Sequence, residues 1–301
     1  MIYFGKTAQQ GDADVKKTYL YAAIAILVWS SMATVSKLLL GTLNNYQVLC
    51  IGAGFAAVAM LITNLVTGKL KQLKTYRVRD LVTMALIGIP GTFLYYIFLY
   101  TGTSILYASQ ALIINYLWPI MSVVFACILL KEKMTLRKAA AFAVSFLGIV
   151  VVAGGEVGEL SLMKLLGMGS CVCAAVCYGA FTALTQKWNY DTRISMMIAF
   201  AASFLLSLVV NLISGVPLEL GWLQLLGLGW SGTCTMAVGS VCWALALSSG
   251  KTAKVSNLAY ITPFLSLVWT SLFLKEPFNP WSVAGLVIIV LGIFIQLKDK
   301  K

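Results

Sequence analysis

The chain has 301 residues, of which 60% are hydrophobic and only 11% are charged, and its formal net charge is +12. Soluble domains carry about 25% charged residues, and a chain of this length cannot enclose so much apolar side chain in a soluble core. The composition therefore excludes a soluble domain and indicates an all-α integral membrane protein.

Membrane-spanning helices are predicted by apolar runs of about 18 residues or more, and the sequence consists of little else. A polar tail, residues 1–16, comes first, without the ordered elements of a cleavable signal peptide. We predict ten spans after it: 17–40, 46–67, 78–101, 107–130, 135–154, 162–186, 193–214, 222–248, 253–274 and 280–297.

The basic residues predict the orientation of these spans. If the N-terminal tail is cytoplasmic, 19 of the 22 Lys and Arg residues fall on the inner side, the exceptions being Lys37, Lys164 and Lys275. Such a bias follows the positive-inside rule. We expect both termini in the cytoplasm of a multi-pass protein of the inner (cell) membrane. The basic charge would contact anionic lipid and not nucleic acid, and a homodimer is left open.

The second half of the sequence repeats the first. Three short elements recur 144 residues apart, and two glycines, Gly91 and Gly102, recur 148 residues later as Gly239 and Gly250. We therefore predict one repeat over 17–154 (helices 1–5) and a second over 155–301 (helices 6–10). The three elements are Tyr116–Pro119 with Tyr260–Pro263, Leu130–Glu132 with Leu274–Glu276, and Leu147–Ile149 with Leu291–Ile293.

Five spans per repeat is an odd number, so the second repeat should enter the membrane from the opposite side. The charges agree, because Lys131-Glu132 is followed by Arg137 and Lys138, and Lys275-Glu276 by no further basic residue in its loop. An inverted repeat is a common basis for alternating access in transporters. A duplicated membrane-embedded enzyme or scaffold is the alternative.

Spans four and nine carry the features most typical of a substrate path. Asn115, Trp118 and Ser122 share one helix face. Pro119 and Pro263 each remove a backbone donor, which kinks the helix and frees a carbonyl one turn earlier. Because both repeats have this feature, we expect these faces to line a cavity, with Thr262 at the position equivalent to Trp118. A kink that serves only helix packing is the alternative.

Aromatic and basic residues within the spans are further candidates. Eight aromatic residues could contact a flat or cationic substrate, although Trp and Tyr also form interfacial belts. Lys37 lies near the outer end of span one, where it could extend to the headgroups or bind a substrate carboxylate. The eight aromatics are Trp29, Tyr95, Tyr96, Tyr116, Trp118, Tyr178, Trp243 and Tyr260.

Several kinds of chemistry have no candidate residues in this sequence. The seven cysteines all lie within predicted spans and the chain has no histidine, so we predict no metal and no cofactor. No acidic residue lies in a span interior, which argues against proton coupling through a membrane carboxylate. No phosphate-binding loop for ATP is present.

These features together resemble the drug/metabolite transporter superfamily, EamA type, over nearly the whole chain. Ile114–Pro119 is similar to the Asn-Tyr-Leu-Trp-Pro signature of the YddG-like aromatic amino acid exporters, and Leu27–Met32 is similar to their first span. The resemblance implies a basket of helices with a central cavity between spans four and nine, closed by spans one, three, six and eight. It also implies a cavity lined by Trp29, Tyr95, Asn115, Trp118, Tyr178 and Trp243.

We interpret the chain as a transporter and not an enzyme. The expected activity is export of small amphipathic metabolites, above all aromatic amino acids, by a facilitator or exchanger. Export of aromatic or quaternary cations is the nearest rival. The expected substrate-binding residues are Trp29, Lys37, Tyr95, Asn115, Tyr116, Trp118, Tyr178, Trp243, Tyr260 and Thr262, with Pro119 and Pro263 as helix kinks.

Overall fold

The computed structural model describes residues 8–154, 161–247, 258–277 and 279–297, and within these ranges all regular structure is helical. Among the described residues, eight helices are long and apolar enough to cross a membrane, and two further apolar helices are shorter. We number them α1 (Lys16–Leu40), α2 (Asn45–Val66), α3 (Val78–Ile105), α4 (Ala108–Leu129), α5 (Leu136–Ala153), α6 (Leu162–Trp188), α7 (Thr192–Ser214), α8 (Trp222–Ala246), α9 (Ile261–Leu274) and α10 (Pro280–Ile295).

Four of these helices are interrupted near their middles. The helix that begins at Ala8 ends at Ser30 and resumes at Met32 within α1. In α4 the helix ends at Asn115 and resumes at Trp118, because Pro119 has no N–H to continue the ladder. In α3 and α8 the chain widens into π-helical segments, Ile89–Leu94 and Trp230–Val238. Such segments are rare and are frequent at functional sites.

The helices pack in pairs that are related by the repeat. Equivalent helices of the two repeats differ by five in number. The contact between α1 and α8 is therefore equivalent to that between α3 and α6, and the contact between α1 and α9 to that between α4 and α6. In the pairs α2–α7 and α5–α10, each helix packs against its own equivalent in the other repeat. Such reciprocal contacts are those of two units around a twofold axis.

Two repeat-equivalent glycines sit at the centre of the α5–α10 contact. A Cβ on Gly148 would lie 2.7 Å from the carbonyl oxygen of Gly285, and a Cβ on Gly292 would lie 2.8 Å from that of Ala141. Beside them, the Ser145 hydroxyl donates to the Ile289 carbonyl at 3.2 Å. The two backbones therefore touch through small residues, as is common for helices in membranes.

The helix bounds agree with the predicted spans to within a few residues. The main differences are α3, which continues to Ile105 and not to residue 101, and α9, whose helix begins at Ile261. Leu258 is helical, and a turn at residues 259 and 260 precedes α9. The start predicted for span nine, at residue 253, lies outside the described residues. Between α2 and α3 the chain forms a short 3-10 helix, Lys69–Thr75.

We call the two ends of the bundle outer and inner after the orientation that the charges predict. The outer end carries the turn at residues 106–107 and the segment that follows α9. The inner end carries the loop at residues 130–135 and the short segment between α6 and α7.

Candidate functional site

A cavity of about 100 Å³ lies between the helices of the bundle. Its walls come from both repeats: α1, α3 and α4 of the first, and α6, α7, α8 and the segment around α9 of the second. Eight of the ten residues expected to bind substrate line it: Trp29, Tyr95, Asn115, Tyr116, Trp118, Tyr178, Trp243 and Thr262.

The aromatic walls form two pairs at equivalent places in the two repeats. Tyr95 in α3 lies 4.9 Å from Tyr178 in α6, and Trp243 in α8 lies 5.4 Å from Trp29 in α1, measured between ring centroids. Tyr95 and Trp243 are separated by the same 148 residues as Gly91 and Gly239. Trp118 extends the first pair, at 5.2 Å from Tyr178. A substrate in the cavity would therefore meet ring systems of different size on its two sides.

Two glycines let the aromatic helices approach each other. A Cβ on Gly91 would overlap the ring of Phe181, and a Cβ on Gly239 would lie 2.5 Å from Nε1 of Trp29. That indole nitrogen donates to the Thr235 carbonyl at 3.0 Å. The carbonyl belongs to the π-helical segment of α8, so the irregular backbone helps to orient a cavity side chain.

The helix breaks at the two prolines place polar groups against the cavity. Asn115 is the last residue before the break in α4, and its Nδ2 donates to the Tyr95 hydroxyl at 3.1 Å. The Tyr116 hydroxyl crosses to the other repeat and donates to the Ala259 carbonyl at 3.0 Å. That carbonyl is one turn before Pro263, which has no N–H to bond it. The same carbonyl also accepts from the Thr262 N–H at 3.0 Å, and the bond from Tyr116 joins the two repeats.

Two polar atoms of the cavity wall have no partner among the described residues. They are Oδ1 of Asn115 and Oγ1 of Thr262, and both are buried. The Thr262 hydroxyl lies near that of Tyr116 but outside hydrogen-bond geometry. Buried polar atoms usually have a partner. Here the amide oxygen could accept a hydrogen bond from a ligand, and the hydroxyl could donate or accept one.

The described residues that line the cavity include no acidic or basic side chain. A ligand would therefore be held by neutral hydrogen bonds and by ring faces, which attract cations as well as flat rings.

Lys37 and Tyr260 are not brought to the cavity wall. The Lys37 ammonium donates instead to three carbonyls at the end of α3, and Tyr260 packs on Phe294 of α10 with 5.5 Å between ring centroids. The substrate contacts expected of these two residues therefore have no support in this geometry.

Sequence reasoning did not single out several residues that line the cavity. Met196 and Phe200 of α7 are apolar and give no signal that separates them from lipid-facing residues. Thr92 and Thr235 line it from the π-helical segments. A search for polar residues beside Pro90 and within the glycine-rich part of α8 could have found them.

The helical bundle, its internal repeat and its central cavity define a multi-pass membrane protein. A sequence profile of the EamA-like transporter family matches residues 16–154 and again residues 164–297. The chain therefore belongs to the EamA-like transporter family, with one unit of the family in each half.

Relatives with curated names are distant in sequence. An uncharacterized transporter from Clostridium kluyveri is 25% identical over 95% of each chain. A probable terminal-alkyne amino-acid exporter from Streptantibioticus cattleyicolor is 23% identical over 90% of each chain. The aromatic amino acid exporter YddG from Ancylobacter novellus is 23% identical over 60% of this chain and 63% of its own.

A solved crystal structure has the same fold. It aligns with 93% of this chain and 97% of its own length, with a TM-score of 0.68 at 18% sequence identity. At that identity the likeness concerns the fold alone.

Proposed function

We propose that this protein exports small amphipathic metabolites, above all aromatic amino acids, across the inner membrane by alternating access. The ten helices would all span the membrane, with both termini in the cytoplasm and the second repeat inverted. The positive-inside distribution of Lys and Arg supports this orientation. No acidic side chain is found among the described cavity-lining residues, which supports a facilitator or exchanger without a membrane carboxylate for proton coupling.

One observation carries the choice of substrate: Asn115 and Thr262, which line a cavity with two aromatic pairs in its walls, each have a buried polar atom without a partner among the described residues. An amino acid presents an ammonium group that can donate to Oδ1 of Asn115 and a carboxylate that can accept from the Thr262 hydroxyl. Its aromatic side chain can stack on the Tyr95–Tyr178 or the Trp29–Trp243 pair. The two relatives whose printed names describe amino acid exporters support the same class.

The size of the cavity supports a transport cycle. Pockets that hold small molecules usually enclose about 300–1,000 Å³, whereas this cavity encloses about 100 Å³. The walls must therefore separate before an aromatic amino acid can fit. Such a contracted cavity is expected for a protein whose site opens first toward one side and then toward the other.

A binding screen tests the proposal. Purified protein would be heated with phenylalanine, tryptophan, leucine, glutamate or an aromatic quaternary cation, because a ligand of the folded state raises the melting temperature. Aromatic amino acids should give the largest rise. The rise should disappear in Asn115→Ala and persist in Asn45→Ala, which removes an asparagine at the outer end that bonds Thr101.

Transport is then measured in proteoliposomes by counterflow of the labelled ligand. Uptake should persist when a pH gradient is removed at constant voltage. If only the quaternary cation binds and moves, the protein is a cation exporter, since its ring faces and neutral lining suit that substrate too. If nothing moves, the transport proposal is wrong.

A further inference from the structure

Lys37 of α1 forms hydrogen bonds with one side of the turn between α3 and α4, at the outer end. Its ammonium donates to the carbonyls of Thr103 at 2.7 Å, Ser104 at 3.2 Å and Leu106 at 2.6 Å. The last carbonyls of a helix have no partner within the helix, and a cation is favoured at this end of the helix dipole. Lys37 therefore ties the outer end of α1 to that of α3.

Glu276, just after α9, accepts hydrogen bonds from the other side of the same turn. Its Oε1 accepts from the Ala108 N–H at 2.6 Å, and its Oε2 accepts from the Ser109 N–H at 3.1 Å and the Ser109 hydroxyl at 2.6 Å. The Glu276 residue is only 8% exposed. Charged acceptors make stronger hydrogen bonds than neutral ones. A residue of the second repeat is therefore fastened to the start of α4 in the first.

A column of buried hydroxyl groups lies between this turn and the cavity. Ser231 lies one turn of α8 outward from the cavity residue Thr235, and Tyr100 lies one turn of α3 outward from Tyr96. The Tyr100 hydroxyl lies near those of Ser36 and Ser231, yet all three lack a hydrogen-bond partner among the described residues. Buried hydroxyls of this kind suit a passage that fills with water when the helices separate.

We propose that Lys37 and Glu276 are the lock of an outer gate, which holds α1, α3, α4 and α9 together and closes the hydroxyl column. The gate can open only when Glu276 releases the start of α4. This proposal rests on the proposed transport function for its purpose, but its geometry needs no substrate. Lys37 and Glu276 are positioning residues, because neither lines the cavity.

The equivalent glutamate of the first repeat supplies a matched control. Glu132 lies at the inner end, where its carboxylate is half exposed and pairs with Lys138 at 3.0 Å. It follows a lysine with the same backbone conformation as the lysine before Glu276. A change at Glu132 thus repeats the chemistry of a change at Glu276 without touching the outer turn.

The test measures access to the hydroxyl column from the outside. A Ser231→Cys reporter is labelled with a membrane-impermeant maleimide in right-side-out vesicles. The labelled residue is identified by fragment-ion mass spectrometry, because the native Cys234 lies only three residues away in the sequence. Adding Glu276→Gln should speed labelling by about tenfold, because a Gln side chain offers one acceptor oxygen where the carboxylate has two. Adding Glu132→Gln should leave the rate unchanged.

Two milder variants guard against misfolding of the first. Ser109→Ala removes one of the three bonds to Glu276 and should give an intermediate rate, and Lys37→Met should raise the rate as well. Equal labelling in all these variants and the reporter alone would overturn the lock. Faster labelling only in inside-out vesicles would overturn its assignment to the outer side.

The labelling assay and the transport assay fail independently. Amino acid counterflow with unchanged labelling in Glu276→Gln would leave the transport function standing and remove the lock. Faster labelling without amino acid binding would leave the lock and remove the proposed substrate.

Discussion

The Lys-Glu elements that follow α4 and α9 have the same backbone but different neighbours. Lys131 and Lys275 both adopt the left-handed conformation, with φ of 58° and 56°. In each case the N–H of the following glutamate points to the carbonyl six residues earlier, Ala126 at 3.5 Å and Thr270 at 3.4 Å. The duplicated sequence therefore folds locally in the same way at both ends of the bundle.

The side chains of the two glutamates have diverged in role. Glu276 is buried and accepts three hydrogen bonds from the start of α4, whereas Glu132 is half exposed and pairs with one lysine. Local structure follows from the repeat, and the role of a side chain follows from the tertiary neighbours that it meets. Equivalent substitutions in the two repeats should therefore agree where the neighbours agree and differ where they differ.

The largest effects are expected where the repeats are alike, at Gly148 and Gly292. Alanine at either position would push its Cβ against a carbonyl of the partner helix. Overpacking of this kind costs about 1–3 kcal/mol, so both variants should lose similar amounts of stability. The melting temperature in detergent measures this. Gly169→Ala is the control, because a Cβ there meets nothing within 4 Å, and a marked loss in that variant would contradict the explanation.

Substitution of the equivalent glutamates should cost different amounts of stability in the two repeats. Glu276→Ala leaves the N–H groups of Ala108 and Ser109 buried without an acceptor, which costs about 1–3 kcal/mol. Glu132→Ala breaks one exposed ion pair and should cost under about 1 kcal/mol. Melting temperatures of the two variants give the difference directly. Similar losses in both would mean that burial of Glu276 does not strengthen its bonds.

Much of the fold could be predicted from the sequence, because hydrophobic length and repetition are one-dimensional signals. The helices, the two repeats and the breaks at Pro119 and Pro263 all follow from such signals, and the structure confirms the helical, two-repeat architecture. Asn115 and Trp118 could be placed on one face from their spacing, and they do line the cavity.

The features that the sequence does not predict depend on contacts between segments that are distant in the chain. The sequence predicts lipid headgroups or a substrate as the partner of Lys37, but in the structure its ammonium donates to carbonyls 66 to 69 residues away. Glu276 falls in a predicted loop, and nothing near it in sequence shows that the start of α4 lies beside it. Phe200 reaches the cavity only because α7 packs on α2 and α3.

The cavity offers a further difference between the repeats, since Thr262 stands where the first repeat has Trp118. The Thr262 hydroxyl is buried without a partner, so Thr262→Val should stabilise the empty protein by about 1 kcal/mol. It should weaken aromatic amino acid binding by about fivefold to tenfold, the factor lost with one neutral hydrogen bond.

Ser266→Ala is the matched control for that change. Its hydroxyl is equally buried and unpartnered, but Ser266 is not among the residues that line the cavity. It should therefore stabilise the protein without changing binding, as measured by ligand-dependent melting. A loss of binding in both variants would show that the Thr262 hydroxyl has no special role.

The smallest effect concerns the residues that cap α2 and α7, which are equivalent in the repeats but differ in charge. Asn44 caps α2 at the outer end, and Asp191 caps α7 at the inner end, where Lys69 donates to its carboxylate at 3.1 Å. Burial raises the pKa of Asp191, but the hydrogen bonds from Lys69 and from the backbone N–H groups of Ile194 and Arg193 outweigh it, so the net pKa is lowered.

A lowered pKa in the folded state stabilises the protein above the ordinary pKa of aspartate, about 3.9, and this stabilisation is lost as the pH falls. The pair is partly exposed, so the contribution should be under about 1 kcal/mol. Between about pH 6 and pH 3.5, the melting temperature should fall by about 1–3 °C more in the wild type than in Asp191→Asn, which keeps the cap. Asn44→Ala should melt lower at every pH, because the amide that it removes does not titrate in this range. An equal acid response in wild type and Asp191→Asn would show that the charge at the inner cap adds nothing to what a neutral cap supplies at the outer one.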